Sequence, residues 1–269
     1  MMCTVLKVKR SGYYGWLKSQ EKPNKDKELV SLIKEIFNDS RKTYGSRRIK
    51  RALEDKRHTV SRRKICRLMK ENGLFCKAKR KFKVTTNSNH KHPIAPNLLE
   101  RKFNVTAANK FFVGDITYVN TKEGWLYLAV VIDLFSRKVV GWSMDKNMTS
   151  TLVNDALLMA LWSRRPPKGL IWHTDQGCQY ASESHRNLLK EHGIVQSMSR
   201  RGNCWDNAVS ESFFHTLKIE LDFKQIFESR EQAKQEIFEY IEVFYNKKRM
   251  HSSINYLSPQ EFEIAALAA

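Results

Sequence analysis

The chain has 269 residues and a formal net charge of +20, enough length for one large domain or two modest ones. Five cysteines without C-x-x-C spacing argue against a disulfide framework and fit a reducing cytoplasm. No apolar run near the start marks a secretory signal, and Leu126–Leu134 is too short to span a bilayer and carries Asp133.

The charge is segregated. Residues Met1–Phe103 hold 29 Lys+Arg against 9 Asp+Glu, while Asn104–Ala269 hold 19 of each. A basic module joined to a neutral one is the natural description, and phosphate is its counterpart, because each cation set on a duplex releases condensed counterions. Residues 1–25 read as a basic, turn-prone arm. Glu28–Phe37 predicts a helix with Leu29, Ile33, Ile36 and Phe37 inward. Ser46 is expected to cap a second helix carrying Ile49 and Leu53, and Ser61 a third with Ile65, Leu68 and Met69 inward and Gly73 as its stop. The outer face of the third carries Arg62, Arg63, Lys64, Arg67 and Lys70. Three short helices with a cationic last one suggest a helix-turn-helix DNA-binding module. Its candidate DNA contacts are Arg62, Arg63, Arg67 and Lys70, with Arg47 and Arg48 of the YGSRRI segment. Lys77–Lys83 extends the basic track, and the polar, proline-bearing stretch that follows reads as a linker.

The second module changes period. Strands are expected over Phe111–Val119, Trp125–Phe135 and Lys138–Met144, with a turn at Lys122-Glu123-Gly124. An amphipathic helix through Leu152–Leu161 ends before Pro166-Pro167, and Gly169–Thr174 is a short buried strand. A helix near Glu183–His192, a strand over Ile194–Met198 and a helix through Asp206–Leu221 follow. Ser229-x-x-Gln232 opens a last helix with Ala233, Ile237, Ile241 and Phe244 inward. The order β-β-β-α-β-α-β-α with a helical tail is α/β, and the first and fourth strands can lie side by side.

Three acids stand out in that frame: Asp115 in FFVGDITYV, Asp175 in LIWHTDQGCQY and Glu211 in NCWDNAVSESFF. Asp115 falls mid-strand, Asp175 just past a strand's carboxyl end, where open α/β sheets place ligands, and Glu211 on a helix. Separated carboxylates can converge on a pair of hard divalent cations, which take oxygen ligands and suit in-line displacement at a phosphodiester. Lys218 lies two turns beyond Glu211 and Asn207 one turn before it, on nearly the same face, while Val209, Phe213 and Leu217 form the core stripe. Asp133 is a rival ligand that also suits a strand-end turn, and Asp206 reads as a helix-start acid. His173 reads first as a packed strand histidine, with contact to substrate or an acid as the other reading. Cys66, Cys76, His90 and His92 lack the spacing of a zinc finger or ribbon, and no Gly-rich phosphate loop points to ATP. Tyr245, Asn246, Arg249 and His251 could bind DNA or cap the tail.

GDITY, HTDQGCQY, GNCWDNAVSESFFHTLKIE and YNKKRMHSSINYLSP, with RSGYYGWLK and YGSRRI nearer the start, resemble insertion-sequence transposases with a retroviral-integrase-like core. More closely, the chain resembles the second-frame (OrfB) product of IS-three-type elements. The resemblance implies an RNase H-like core with a mixed five-stranded sheet, a DDE triad at Asp115, Asp175 and Glu211, and the following basic residue at Lys218. It also implies two Mg²⁺ or Mn²⁺ ions, terminal inverted repeats and target DNA as substrates, and 3′-hydroxyl release with strand transfer. A first-frame OrfA-type partner or fusion, a homo-oligomer on DNA, and a bacterial cytoplasmic, nucleoid-associated location complete the expectation. The expected division is an arm over 1–25, a helix-turn-helix-like domain over 26–83, a linker over 84–104, a catalytic core over 105–222 and a helical extension over 223–269. A DNA-binding regulator without chemistry and a nuclease that hydrolyses without joining are the competing functions.

Overall fold

The structure, a computed structural model, describes residues 9–20, 26–76, 93–200, 204–223 and 226–268. It divides into two compact units, Met1–Cys76 and Lys77–Ala269.

In the first unit, Arg10–Gln20 is a helix (α1), although these residues read as turn-prone. Tyr13 meets Trp16 one turn on, with ring centroids 6.3 Å apart, a local contact that supports the helix despite Gly12 and Gly15. Three further helices follow: Lys27–Asp39 (α2), Ser46–Asp55 (α3) and Arg62–Glu71 (α4). Their apolar stripes, Ile33, Ile36 and Phe37, then Ile49 and Leu53, then Ile65, Leu68 and Met69, are all buried. The caps divide. Ser61 accepts from the Lys64 amide at 3.3 Å, as expected. Ser46 is instead the first helical residue, and Gly45 stands at its N-cap without a side-chain bond. Past α4, Gly73 takes a left-handed conformation (φ 66°) that suits a residue without a Cβ.

The second unit is built on a five-stranded sheet of β1 (Phe111–Thr121), β2 (Gly124–Asp133), β3 (Val139–Asp145), β4 (Ile171–Thr174) and β5 (Val195–Met198). The order is β3-β2-β1-β4-β5, with antiparallel pairs on the β2 side and parallel pairs through β4 and β5. Antiparallel β1 and β2 need only the tight turn at Lys122 and Glu123, whereas β4 requires a crossover, supplied by helix α5 (Ser150–Arg164). The short α6 (Cys178–Ala181) and α7 (Glu183–Glu191) lead to β5. A 3₁₀ turn, Cys204–Asn207, feeds α8 (Ala208–Glu220). The tail comprises α9 (Arg230–Phe238), a π-helical turn (Glu239–Tyr245) and α10 (Pro259–Leu267).

Both sheet faces are covered, which is why β2 reads as an almost continuous apolar run. On one face Val113, Val119, Leu128 and Val130 pack with Phe213, Phe214 and Leu217 of α8 and with Ile237 and Ile241 of the tail. On the other, Phe112, Ala129 and Val131 pack with Leu152, Ala156 and Ala160 of α5 and with Trp172. Residues 93–103, read as linker, pack against this unit: Leu98 N donates to Ser197 Oγ at 2.9 Å, and Leu99 is buried.

Candidate active site

Period-two alternation fixes where Asp115 points. The β1–β2 ladder runs unbroken from Phe112 to Thr121, and Val113 and Val119 face α8, so Asp115 shares their side of the sheet. The residue before it explains the opposite face. A Cβ on Gly114 would overlap the Trp172 ring, so only glycine lets that buried indole lie under β1. Asp115 Oδ1 accepts from the Ile116 amide at 2.8 Å. Asp175 follows the end of β4 and accepts from the Gly177 amide at 3.0 Å, a local turn that aims its carboxylate. Glu211 lies in the first turn of α8 and Lys218 in its last.

Electrostatics couples these groups. The Asp115 carboxyl is pushed well above the usual range, first by desolvation and then by the Asp175 charge, with Glu211 adding to the rise and Lys218 opposing it. Glu211 is raised by desolvation and by Asp175. Lys218 is lowered by desolvation and held up by Asp115. Its ammonium sits 5.0 Å from the centre of the Tyr118 ring, which in turn meets Trp125 edge-on. Among the described residues, no three His, Cys, Asp or Glu side chains are closed into a metal cage. The charges of Asp175 and Glu211 both reach Asp115, and that of Asp175 also reaches Glu211.

One neighbour, Tyr180, and one contact, that of Asn207, are not legible in the sequence. Tyr180 is buried, and its hydroxyl is held well above its ordinary pKa by burial and by the charges of Asp115 and Asp175. A tyrosine five residues after an acid carries no signal of its own. Asn207 lies on the Glu211 face, and its Nδ2 donates to Gly114 O at 3.3 Å, while its buried Oδ1 and the Ser210 Oγ have no hydrogen-bond partner among the described residues.

The rival residues belong elsewhere. Asp133 is fully buried, accepts from the Asn109 and Phe135 amides at 2.9 Å and meets Arg164 at 3.3 Å, so its oxygens are committed to a strand-end turn. Asp206 accepts from Arg200 and Arg101 and from Asn97, and the Arg200 hydrogen bonds hold its carboxyl far below the usual range. His173 is packed in β4. Its Nε2 donates to Asp206 O at 3.0 Å and its Nδ1 accepts from the Ser197 hydroxyl at 2.8 Å, and burial lowers its pKa to about 4, so it is a neutral strut.

Comparison with known proteins assigns this architecture. Residues 105–204 match the Integrase core domain family, residues 23–82 an HTH-like domain, and residues 211–267 a second integrase core family. The chain is 47% identical over 97% of its length to the insertion element IS600 31 kDa protein of Shigella sonnei, covering 97% of that protein. It is 43% identical over 99% of its length to transposase InsF for insertion sequence IS3A of Escherichia coli, covering 94% of it. The chain belongs to the IS3-family transposases.

As a transposase with an integrase core, it is a polynucleotidyl transferase acting on DNA. A simian T-cell lymphotropic virus intasome chain has the same kind of fold, with a TM-score of 0.50 at 17% identity, covering 76% of this chain and 67% of that one. The transposase core is therefore RNase H-like, preceded by an HTH-like domain and followed by helices. No helix among the described residues is long and apolar enough to cross a membrane.

Within the HTH-like unit, Arg47, Arg62, Arg63, Arg67 and Lys70 are exposed. Arg48 lies over the Tyr44 ring at 5.4 Å. Arg67 also meets Asp26 at 3.2 Å and Glu71 at 3.9 Å, so part of its charge is answered within the fold. The tail motif is structural where it is buried. Asn246 accepts from Val139 N at 3.0 Å and donates to Val139 O at 2.9 Å, and the Tyr245 hydroxyl donates to Arg137 O. Arg249 clasps Glu220, the last residue of α8, which also accepts from the Tyr240 hydroxyl at 2.8 Å. Of the possible zinc set, Cys66 and Cys76 are exposed and free, and His90 and His92 lie outside the described residues.

Proposed function

We propose that this transposase cuts and joins the ends of its insertion sequence with a DDE site in which Asp115, Asp175 and Glu211 hold two Mg²⁺ or Mn²⁺ ions. The observation that carries the reading is that Asp115, on the sheet face packed against α8, feels the charges of Asp175 and Glu211, with Lys218 of that helix opposing them at Asp115. The donor set fits. All three groups offer oxygen, the preference of hard divalent cations, and the raised proton affinity of Asp115 and Glu211 comes from burial and from the Asp175 charge beside them. Asn207 Oδ1 and Ser210 Oγ add unpartnered neutral oxygens on the same helix end. When bound, the ions supply Lewis acidity for in-line displacement at phosphorus.

The protein's own groups then have distinct tasks. Lys218, its ammonium held over Tyr118, contacts the DNA phosphate near the scissile bond. Neutral His173 keeps the 204–207 turn, and so the start of α8, fixed against β4. In end release, water attacks phosphorus and the phosphorus–O3′ bond breaks, leaving a 3′-hydroxyl on the element. In strand transfer that hydroxyl attacks a target phosphodiester, a new O–P bond forms, and the displaced target oxygen leaves as a hydroxyl. One bond is exchanged for another, so no ATP is needed. The HTH-like unit, through Arg47, Arg48, Arg62, Arg63, Arg67 and Lys70, holds the terminal inverted repeats. The family likeness supports assembly as a homo-oligomer, with an OrfA-type first-frame protein or its fusion as partner.

The test uses purified full chain, labelled end DNA and Mg²⁺, with a gel that separates bound, nicked and joined products. Asp115→Asn is expected to lower cleavage and joining by about 10²–10³-fold or more while DNA binding persists. Undiminished joining by that variant overturns the assignment. Binding without chemistry in the unaltered protein favours a regulator, and hydrolysis without joining favours a nuclease.

A further inference from the structure

Trp205 is 69% exposed, yet its chain neighbours Asp206 and Asn207 are almost fully buried. The contrast follows from how its turn is held. Asp206 O accepts from His173 in β4, Asn207 Nδ2 donates to Gly114 O in β1, and the Asp206 carboxylate is gripped by Arg101 at 2.8 Å and Arg200 at 2.9 Å. With both following residues fastened inward, the indole is left on the surface of a turn anchored through Asp206 and Asn207. That turn joins Gly114, the residue before Asp115, to the helix that carries Glu211. The two guanidiniums are themselves part-exposed, at 44% and 60%, and share one carboxylate, so the patch keeps a net positive charge.

We infer that Trp205 is a stacking platform for a nucleobase unpaired from the end of the substrate DNA beside the scissile phosphate. A large aromatic face kept in water, one residue from a carboxylate gripped by two part-exposed guanidiniums, has the chemistry of single-strand recognition: the ring takes a base and the guanidiniums take the backbone. Stacking accepts any base, so the platform serves opening of the duplex end rather than reading of its sequence. The 3₁₀ turn acts as a positioning device, setting an extruded nucleotide at a fixed offset from the three acids. The inference rests on the proposed DNA-joining site and adds to it a binding subsite that none of the three acids provides.

The test compares the full chain with Trp205→Ala and Trp205→Phe, without divalent cation so that no strand is cut. The probes are a duplex with a short unpaired 3′ end and the blunt duplex of the same sequence. The unaltered protein is expected to prefer the unpaired end. Trp205→Ala loses roughly 5- to 100-fold of that affinity, whereas its affinity for the blunt duplex is little changed. Trp205→Phe keeps most of the preference but lacks the part of the DNA-induced tryptophan quenching that belongs to this residue. Because the side chain is exposed, thermal unfolding of the variants should match that of the parent. Equal preference in Trp205→Ala, no preference in the unaltered protein, or full quenching in Trp205→Phe overturns the inference. Asp115→Asn separates the two claims: it should keep the preference and the quenching even though joining is lost, and its joining activity bears only on the acids.

Discussion

Asp115 is a carboxylate that the folded chain would rather keep protonated, because desolvation and the Asp175 charge both oppose its ionisation. In the unfolded chain it ionises near its ordinary value of about 3.9. The folded state therefore binds this proton more tightly, and the group's contribution to stability falls as pH rises from about 4 towards the elevated folded value. Asp115→Asn removes the ionisation. Its melting temperature at neutral pH in EDTA should exceed that of the parent by about 2–4 °C for each kcal/mol of relieved repulsion, and the gain should shrink towards acid pH. Mg²⁺ should raise the parent's melting temperature by mass action and raise that of the variant less. Differential scanning across pH and Mg²⁺ checks both; a variant no more stable than the parent at neutral pH contradicts the account. The local settings of the three acids, a strand, a strand exit and a helix, were readable because each follows from nearby pattern. Tyr180 and the Gly114–Trp172 contact were not, since they arise from packing between segments far apart in the chain.

Helix α8 carries both Glu211 and Lys218, and what fixes its far end lies in the tail. Glu220 and Arg249 are each about 5% exposed and are joined through three hydrogen bonds of 2.9–3.0 Å, with the Tyr240 hydroxyl completing the carboxylate. Removing one member of a buried pair leaves the other charged and unanswered. Glu220→Ala or Arg249→Ala should each cost about 3–5 kcal/mol in urea unfolding, whereas Glu220→Leu with Arg249→Met should recover much of the loss. Additive single costs in the double variant contradict the pairing. The elements were largely legible: strand periods, the Ser61 and Ser229 caps and the crossover helix all followed from local pattern. Even so, Gln232 bonds the Glu228 amide rather than that of Ser229, so the expected reciprocal box is only half formed. The true box lies at Ser258 and Glu261, with Pro259 at the first turn, and opens α10, which the sequence reading left within an undivided tail. The motif Tyr245–His251 was ambiguous because buried and DNA-facing cations look alike in sequence; Arg249 proves to be buried.

Across the whole molecule, the charge surplus and the sheet lie in different parts of the chain, so binding and chemistry should respond differently to salt. Exposed cations on α3 and α4 that neutralise phosphates make log K fall with log salt by about 0.9 per phosphate. Six such contacts give a slope near −5, somewhat less because Arg67 is shared with Asp26 and Glu71. Arg62→Ala with Arg63→Ala should reduce that slope by about 2 at every DNA sequence tested, measured by anisotropy over a salt series. A slope unchanged by the double variant removes these two residues from the interface. The Asn246 amide has a further consequence for assembly. By bonding both the N–H and the C=O of Val139, it behaves as a one-residue strand laid along the outermost ribbon of the sheet. A bare ribbon there would invite a neighbouring chain to zip on and polymerise. With its first rung already taken by a side chain, that border offers a second chain fewer free backbone groups on which to pair.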